Sequence, residues 1–235
     1  MTRHWLPQDA KAFLQQLVLG YHSYAPSFSQ AGEDMILRHL IGSGKMDGFY
    51  VDVGAFDPVQ LSNTYFFYTH GWRGINIDAR PGSRSLFEKV RPRDINVEVG
   101  ISTSAGELTY YVVGEHSPMN SVSREFLNHV GMLDKVTREI RVPVLPLADV
   151  LERHLPTGQA IDFMTVDVEG HDLEALQSND WDQFRPRFLV VEDIHAAGDA
   201  PPLVAFLRSR GYDVCVRNVI VLDKLDEYFF VDRSQ

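Results

Sequence analysis

The sequence predicts a single α/β domain built around a mostly parallel β-sheet. Its apolar runs are short and continuous rather than alternating with polar residues, as in strands that are covered on both faces. Helical stretches separate most of these runs, which fits the right-handed crossovers that connect parallel strands. The last three runs follow one another too closely for a helix, which indicates an antiparallel end to the sheet. The 235 residues suffice for one such domain with short additions.

Composition and charge exclude several classes of protein. The formal net charge of −10 argues against a sequence-independent nucleic-acid binder and against an anionic membrane surface as partner. The single cysteine, Cys215, cannot form an internal disulfide, which fits a reducing compartment. No segment has the ~20 consecutive apolar residues that a membrane span needs. Residues 1–20 contain Asp9 and Lys11 instead of a continuous apolar core, so we expect no secretion signal and a cytoplasmic location.

Two helices are predicted before the first strand. Residues 1–27 form a predicted helical extension, because Phe13, Leu14, Leu17 and Val18 share one helical stripe. This helix packs on the main body, or serves as a lid or a dimer contact in a homo-oligomer. The main domain is predicted for residues 28–235, and it opens with a helix that begins near Glu33 and ends before the glycines at 42 and 44.

The remaining elements follow from the alternation of apolar runs and helical periods. Strands are predicted at 49–53, 74–77, 95–99, 161–166 and 188–191, with helices at 83–90, 147–154, 172–177 and 202–210. The antiparallel end comprises 212–216, 219–222 and 228–231, with a turn at 223–227. A further pair of strands, 108–113 and 140–145, flanks a polar loop at 114–123 and a short helix near 124–130. That loop is a candidate cover for an acceptor pocket.

The five main strands end in acidic residues or glycines. These residues are Asp52 with Gly54, Asp78, Glu98 with Gly100, Asp167, and Glu192 with Asp193. In an open α/β sheet, ligands bind outside the carboxyl ends of the strands, and the ends of parallel strands meet at one edge. The sequence therefore predicts a binding site at this edge.

The first two strand ends indicate the kind of cofactor. Gly54 allows backbone to approach a bound group closely, and Asp78, about 20–25 residues later, is placed to hold a ribose diol. The turn after the first strand lacks the Gly-x-Gly-x-x-Gly pattern that seats a pyrophosphate, and the chain lacks a P-loop motif. An adenosine cofactor without phosphate is S-adenosylmethionine. Asp52 would favour its positively charged amino acid end and would repel a phosphate.

Several sequence blocks resemble the FkbM-type methyltransferases. The blocks are Ser29-Gln30-x-Gly32-Glu33-Asp34, Tyr50-Val51-Asp52-Val53-Gly54-Ala55, Ser62-Asn63-Thr64, Gly71-Trp72-Arg73-Gly74-Ile75-Asn76-Ile77-Asp78 and Asp167-Val168-Glu169-Gly170. The resemblance covers roughly residues 28–195. It implies a Rossmann-like class I methyltransferase fold, a seven-stranded, mostly parallel sheet with an antiparallel C-terminal strand. It also implies an S-adenosylmethionine-dependent O-methyltransferase acting on a sugar, a glycan or a related hydroxylated metabolite.

Further cofactor contacts are expected around this site, each with a structural alternative. Gln30 and Glu33 contact the cofactor or belong to an ordinary helix start. Asn63 and Thr64 face the methionine or the acceptor, or cap the next helix. The other candidates lie on the adenine side: Arg80, which stacks on the ring or supports the turn after it, and Glu98 and Gly100, where Glu98 alternatively faces solvent.

Methyl transfer to oxygen requires that the acceptor hydroxyl lose or share its proton. A histidine or aspartate base can take this proton, or a divalent metal such as Mg²⁺ or Mn²⁺ can acidify the hydroxyl. Asp167 and His195 are candidates for either role, and Glu192 and Asp193 complete the predicted metal ligands. His171 is a second candidate base, with a surface position in the first helical turn as the alternative. The acids alternatively cap helices or bind the acceptor directly, and Glu169 pairs with the metal or with a basic residue.

Two other functions remain open from the sequence. A nicotinamide-dependent oxidoreductase uses a similar sheet, although the missing glycines disfavour it. A non-catalytic nucleoside-binding module would keep the fold and lose the chemistry. The expected partner is a small-molecule or glycan acceptor with a free hydroxyl, and not a nucleic acid.

Overall fold

The structure, a computed structural model, describes residues 25–42, 44–194, 202–221 and 225–234. The predicted N-terminal helix falls within residues 1–24, and His195 falls within residues 195–201, so both lie outside the described residues. In the part of the chain that is described, no helix combines the length and the apolar character that crossing a membrane would require.

Strands and helices alternate along the chain, as the sequence predicts. In chain order the elements are α1 (Glu33–Ile41), β1 (Phe49–Val53), α2 (Tyr65–Thr69), β2 (Arg73–Asp78), α3 (Ser83–Val90), β3 (Ile95–Glu98), β4 (Gly100–Ile101), β5 (Gly106–Val112), α4 (Arg124–His129), a 3₁₀ turn (Leu133–Lys135), β6 (Arg138–Leu145), α5 (Leu147–His154), β7 (Phe163–Val166), α6 (Asp172–Gln177), β8 (Phe188–Ile194), α7 (Pro202–Ser209), β9 (Tyr212–Val221) and β10 (Leu225–Asp232).

The main sheet has seven strands in the order β3-β2-β1-β7-β8-β10-β9. The strands β3, β2, β1, β7 and β8 run parallel to one another, and β10 is inserted antiparallel between β8 and β9. All five residues of the central strand β1 are buried, because helices and loops cover both faces of the sheet. The predicted seven-stranded, mostly parallel sheet with an antiparallel C-terminal strand is therefore confirmed.

Two apolar cores cover the two faces of the sheet. One contains alternate residues of the central strands together with side chains from α5, α6 and α7, including Val51, Ile75, Met164, Leu151, Leu176 and Leu207. The other is rich in aromatic rings and includes Tyr50, Phe67, Trp72, Phe163 and Phe188. Because each strand contributes to both cores, its apolar residues form a continuous run.

The end of the sheet differs from the prediction in three places, one of which is that β10 already begins at Leu225, within the turn predicted at 223–227. The predicted strands at 212–216 and 219–222 are one strand, β9, since its polar residues pair across to β10, as Arg217 does with Asp226. The strand predicted to end at 191 continues to Ile194, because Glu192 and Asp193 pair with residues of β10. These two acids therefore lie within a strand and not after it.

The strand order creates a crevice at the edge of the sheet. The chain proceeds from β1 through β2 to β3 in one direction and from β7 through β8 in the other, so the order reverses between β1 and β7. Such switch points are where ligands bind in open α/β sheets. The strands β4, β6 and β5 form a separate three-stranded sheet that follows β3 in the chain.

Candidate active site

A cleft opens at the carboxyl ends of β1, β2 and β7. The predicted site residues that line it are Gln30, Gly54, Asp78, Arg80, Gly100 and Asp167. The cleft also receives Ser117, Pro118 and Asn120 from the loop predicted to cover the acceptor pocket. The predicted edge of the sheet is therefore the place where the structure forms a cleft.

Gly54 joins the turns that follow β1 and β7. It has a φ of 88°, and a β-carbon at this position would lie 1.7 Å from the carbonyl oxygen of Asp167. The Asp167 amide also donates to the Val53 carbonyl at 2.9 Å. Only glycine fits here, because both the left-handed backbone and the adjacent peptide exclude a side chain. The structure thus shows a close approach of the Asp167 backbone to Gly54, and the approach of a bound group to this turn stays a prediction.

Backbone strain is concentrated at this cleft. Phe56, Leu61 and Glu169 are the non-glycine residues with positive φ in the described part of the chain, at 49°, 53° and 54°. All three line the cleft. A bulky residue in this conformation costs on the order of 1–3 kcal/mol, and such residues cluster at functional sites. The distribution of strain independently supports the cleft as the candidate functional site.

A buried arginine holds the loop after β1 in place. The Arg91 side chain is fully buried and donates to the Pro58 carbonyl at 2.7 Å, to Ser62 Oγ at 2.6 Å and to Thr64 Oγ1 at 2.8 Å. Thr64 in turn donates to the Asp52 carboxylate at 2.6 Å. Charge-assisted bonds of this kind are strong when they are buried. They keep residues 54–64 in the strained conformation that shapes the cleft.

Asp78 lies in the cleft wall and organises two turns. Its Oδ2 accepts from the Phe56 amide and its Oδ1 from the Arg80 amide, each at 2.7 Å. Burial raises the pKa of Asp78 to about 6, although the Arg80 amide opposes the shift. Each carboxylate oxygen has a second lone pair that these bonds leave available. Asp78 can therefore also accept a bond from a ligand in the cleft.

Arg80 closes the same side of the cleft. Its guanidinium donates to the Phe56 carbonyl and lies 5.4 Å from the centre of the Phe56 ring. It also approaches His116 Nδ1 at 3.5 Å, which brings the 114–123 loop to the cleft. Arg80 thus supports the turn after β1, whereas the structural alternative placed this support at the turn after Arg80 itself. Its position in the cleft wall keeps it available to a ring system.

Other predicted cofactor residues lie behind the cleft or outside it. Those that do not line it are Glu33, Asp52, Asn63, Thr64 and Glu98. Glu98 accepts from the Gly82 amide at 2.9 Å at the start of α3, so it caps this helix instead of facing an adenine. Asn63 donates to Thr165 Oγ1 at 3.0 Å. These side chains support the loops of the site through polar bonds within the protein.

Three carboxylates meet at the floor of the cleft. Asp167, Glu169 and Glu192 each place one oxygen within 4.8 Å of the others. Burial raises the pKa of Asp167 to about 6 and that of Glu169 to about 10, with the Asp167 charge adding to the second shift. The pKa of Glu192 is raised well above its usual value by burial and by Asp167. The protonated Glu192 can therefore donate to Asp167, an arrangement that avoids two adjacent charges.

The structure corrects two members of the predicted activation site. Asp193 lies opposite Asp226 of β10, whereas Glu192 lies opposite Glu227. Successive residues of a strand point to opposite faces, so Asp193 does not join the three carboxylates. His171 does not line the cleft: its Nε2 lies 3.3 Å from Ser102 Oγ, and burial lowers its pKa. His195 is outside the described residues.

A comparison with known protein families shows which family the chain belongs to. The chain matches the methyltransferase FkbM domain over residues 52–214, a span that includes Gly54, Asp78 and Asp167. The chain belongs to the FkbM methyltransferase family. The resemblance carried by the sequence blocks and the predicted Rossmann-like class I methyltransferase fold are both confirmed.

One curated relative of this FkbM chain is methyltransferase sdnD from Sordaria araneosa. The two are 30% identical over 141 residues, which are 50% of this chain and 53% of the relative. The chain thus matches about half the length of this relative.

Solved methyltransferases also resemble the FkbM chain in structure. The 1,6-didemethyltoxoflavin-N1-methyltransferase of Burkholderia thailandensis, bound to 1,6-didemethyltoxoflavin and S-adenosylhomocysteine, is 12% identical. The match covers 99% of this chain and 92% of that one, with a TM-score of 0.45. An O-methyltransferase from Bacillus cereus in complex with SAH is 10% identical over 98% and 94% of the two chains, with a TM-score of 0.42. The FkbM match, and not these structures, assigns the family.

Sequence reasoning missed two residues near the candidate site and left the role of a third open. Arg91 ends a helix and has no motif around it, so nothing local indicates that it anchors the loop after β1. The sequence left two alternative roles for Glu169, as a partner of the metal or of a basic residue. Its positive φ directs it to the cleft. Glu227 becomes a neighbour of Glu192 only through the pairing of β10 with β8. The sequence pattern places Glu227 in the predicted turn at 223–227, so it gave no signal for this residue.

Proposed function

We propose that the protein is an S-adenosylmethionine-dependent O-methyltransferase that acts on a hydroxyl of a sugar, a glycan or a related metabolite. The observation that carries this proposal is the cleft at the switch point. It combines a half-buried carboxylate at the end of β2, Asp78, with a single-glycine turn after β1. Such a cleft suits an adenosine that carries no phosphate, and membership of the FkbM family supports methyl transfer.

The cofactor is proposed to lie along the ends of β1 and β2. Asp78 would accept from the ribose hydroxyls, with Arg80 and Gly100 on the adenine side. Gln30, Gly54 and Asp167 line the opposite end, where the methionine part would lie. Asp52 would act from behind the cleft through its charge, since Thr64 already occupies one of its oxygens.

The acceptor hydroxyl is proposed to approach the floor of the cleft at Asp167. Asp167 Oδ1 is buried and has no hydrogen-bond partner among the residues described. A carboxylate oxygen in this state can accept the proton that the hydroxyl releases. A divalent ion such as Mg²⁺ or Mn²⁺, held by Asp167, Glu169 and Glu192, would instead lower the pKa of a bound hydroxyl. In both routes Asp167 contacts the reacting group or the ion beside it.

The acceptor class is inferred from charge and from the family resemblance. Asp167 and Glu169 line the cleft, and Glu192 lies beside them. Together with the formal net charge of −10, these acids disfavour a polyanionic nucleic acid and favour a neutral polyol. A cytoplasmic enzyme fits the single cysteine of the chain.

The proposal is tested by binding followed by turnover. Calorimetry should show that S-adenosylhomocysteine binds and that NAD does not, whereas the oxidoreductase alternative predicts the reverse. Labelled S-adenosylmethionine is then incubated with sugars, nucleotide sugars and glycans, with and without a chelator. Binding without transfer to any acceptor in this panel would favour a non-catalytic nucleoside-binding module.

The change Asp78→Asn should weaken the binding of S-adenosylhomocysteine about 10- to 100-fold. Loss of a hydrogen bond to a charged group costs roughly 1.5–3 kcal/mol, and each 1.4 kcal/mol corresponds to a factor of ten. The dissociation constant is measured by calorimetry. Asp57→Asn is the matched control, because Asp57 caps a turn in the same loop by accepting from the Val59 amide and does not line the cleft. Equal losses in both variants would contradict a ribose contact at Asp78.

The affinity for S-adenosylhomocysteine should also depend on pH. The pKa of Asp78 is raised to about 6, and its ionised form is the better acceptor for the ribose hydroxyls. The affinity is therefore expected to be full above pH 7 and to fall as the pH decreases through 6, by at most about tenfold per pH unit. Calorimetry at pH 5.0 and 7.5 measures this change. In Asp78→Asn the pH dependence should be much weaker, and an unchanged profile would assign it to another group.

A further inference from the structure

A group of four carboxylates extends from the floor of the cleft into the sheet. Asp167 and Glu169 line the cleft. Glu192 on β8 and Glu227 on β10 lie behind them, with only 6% and 4% of their surfaces exposed. Glu192 and Glu227 are cross-strand partners, so their side chains point to the same face of the sheet. The group therefore has one side open to the cleft and one side closed by the protein.

The spacing of these oxygens suits a small, hard cation. One oxygen from each of Asp167, Glu169 and Glu192 lies within 4.8 Å of the other two. Oxygen ligands lie about 2.1 Å from Mg²⁺ and up to about 2.6 Å from Ca²⁺, so ligands on opposite sides of one ion are roughly 4–5 Å apart. The three oxygens can therefore contact a single ion without rearrangement of the strands.

A second observation indicates that the group lacks a positive partner. Glu227 Oε2 is buried and has no hydrogen-bond partner among the described residues, and the same holds for Asp167 Oδ1. Glu227 faces Asp167 and hydrogen-bonds Glu33, which is itself fully buried. The charged neighbours that act most strongly on Glu227 and Glu192 within the described ranges are all acids. In their ionised form, these buried carboxylates need a cation to balance their charge.

The position of the group decides what kind of cation fits. Glu33, Glu192 and Glu227 do not line the cleft, so an ammonium group on an acceptor molecule could not reach them. A bare metal ion that is bound between the carboxylates does not have to be reached from the cleft by an acceptor molecule. Ligand sets composed only of carboxylate oxygens favour Mg²⁺, Mn²⁺ or Ca²⁺ over softer metals.

We propose that Asp167, Glu169 and Glu192 bind one divalent cation of the Mg²⁺ or Mn²⁺ type beneath the cleft, with the Glu227 carboxylate lying behind them. This set keeps Asp167 and Glu192 from the ligands predicted from the sequence and has Glu169 where Asp193 was expected, while His195 lies outside the described residues. The proposal that an ion binds here depends only on the positions of the carboxylates. Its use in lowering the pKa of an acceptor hydroxyl rests on the proposed function.

The test uses Mn²⁺ as the probe on the full chain, after removal of metals with a chelator. Electron paramagnetic resonance and calorimetry should show one tightly bound Mn²⁺ per chain, and the thermal midpoint should rise with added Mn²⁺. Glu192→Gln and Glu227→Gln should each weaken Mn²⁺ binding at least about tenfold. Glutamine has nearly the shape of glutamic acid and can donate the bond that Glu192 makes to Asp167, so both variants should fold.

The matched control is Glu174→Gln, a partly exposed acid of α6 that lies outside the group. It should bind Mn²⁺ as the unmodified chain does. Absence of a bound ion at millimolar Mn²⁺, or equal affinities in all variants, would overturn the metal site. S-adenosylhomocysteine binding is measured in parallel with chelator present, because its loss would contradict the proposed function and leave the ion site unaffected.

Discussion

Replacing Gly54 with alanine is expected to destabilise the fold by about 3 kcal/mol or more and to abolish binding of S-adenosylhomocysteine. A left-handed alanine costs roughly 1–2 kcal/mol, and forced overpacking adds about 1–3 kcal/mol. The added β-carbon would lie 1.7 Å from the Asp167 carbonyl oxygen, which belongs to rigid backbone. The turns after β1 and β7 must then separate, and they form the two walls of the cleft. Urea unfolding and calorimetry measure the two effects.

Gly82→Ala isolates the contribution of the close approach. Gly82 has a φ of 87°, nearly that of Gly54, but a β-carbon there would meet nothing within 4 Å. This variant should lose only about 1–2 kcal/mol, the cost of the left-handed backbone itself. It should bind S-adenosylhomocysteine with an affinity near that of the unmodified chain. If the two alanine variants were equally stable, contact between the two turns could not be the reason for glycine at position 54.

The change Asp167→Asn is expected to lower methyl transfer by ~10²–10⁴-fold, the usual effect of losing a base or an ion-binding carboxylate. The amide has nearly the same shape, so the structural cost is small. It also removes charge from a site where burial already raises the pKa of Asp167, so stability should be kept or increased. Transfer of labelled methyl groups is measured with the acceptor identified in the hydroxyl panel, and circular dichroism monitors folding.

Asp193→Asn is the control for Asp167→Asn. Asp193 lies on β8, the strand next to Asp167, and its side chain points to the face opposite that of Glu192. The substitution should therefore leave the rate of methyl transfer within about twofold of that of the unmodified chain, as expected for a residue outside the active site. A large loss here would restore Asp193 to the activation site. Full activity in Asp167→Asn would remove Asp167 from both proposed routes.

Boundaries that depend on local pattern agree with the sequence. The strand at 49–53 and the helices at 83–90, 147–154 and 172–177 have the predicted bounds. In each of these segments the apolar spacing and the flanking turn residues come from the segment itself. The strand at 188–191 was predicted too short, because Glu192 and Asp193 are polar and their strand conformation depends on pairing with β10. A polar residue ends an apolar run in the sequence, but the backbone hydrogen bonds between two paired strands continue past it.

Side chains at the strand ends also divide into those whose position follows from the local sequence and those whose position depends on contacts elsewhere in the fold. Gly54, Asp78 and Asp167 reach the cleft as expected, since the carboxyl ends of parallel strands meet there. Glu98 was expected at the adenine and instead caps α3. The sequence places an acid at a strand end, but competing donors nearby, here the amides of a helix N-terminus, determine where its carboxylate points.

The amino-acid sequence by itself determined the α/β class, the strand and helix order, the edge of the sheet that holds the site and the family of the chain. These properties follow from periodicity and from residues within one element, so neighbours in the chain suffice to specify them. Only the tertiary structure decided that Arg91 anchors the loop after β1 and that Glu192 meets Asp167 and Glu169, with Glu227 paired behind it. The residues of such a group lie far apart in the chain, and long-range strand pairing brings them together.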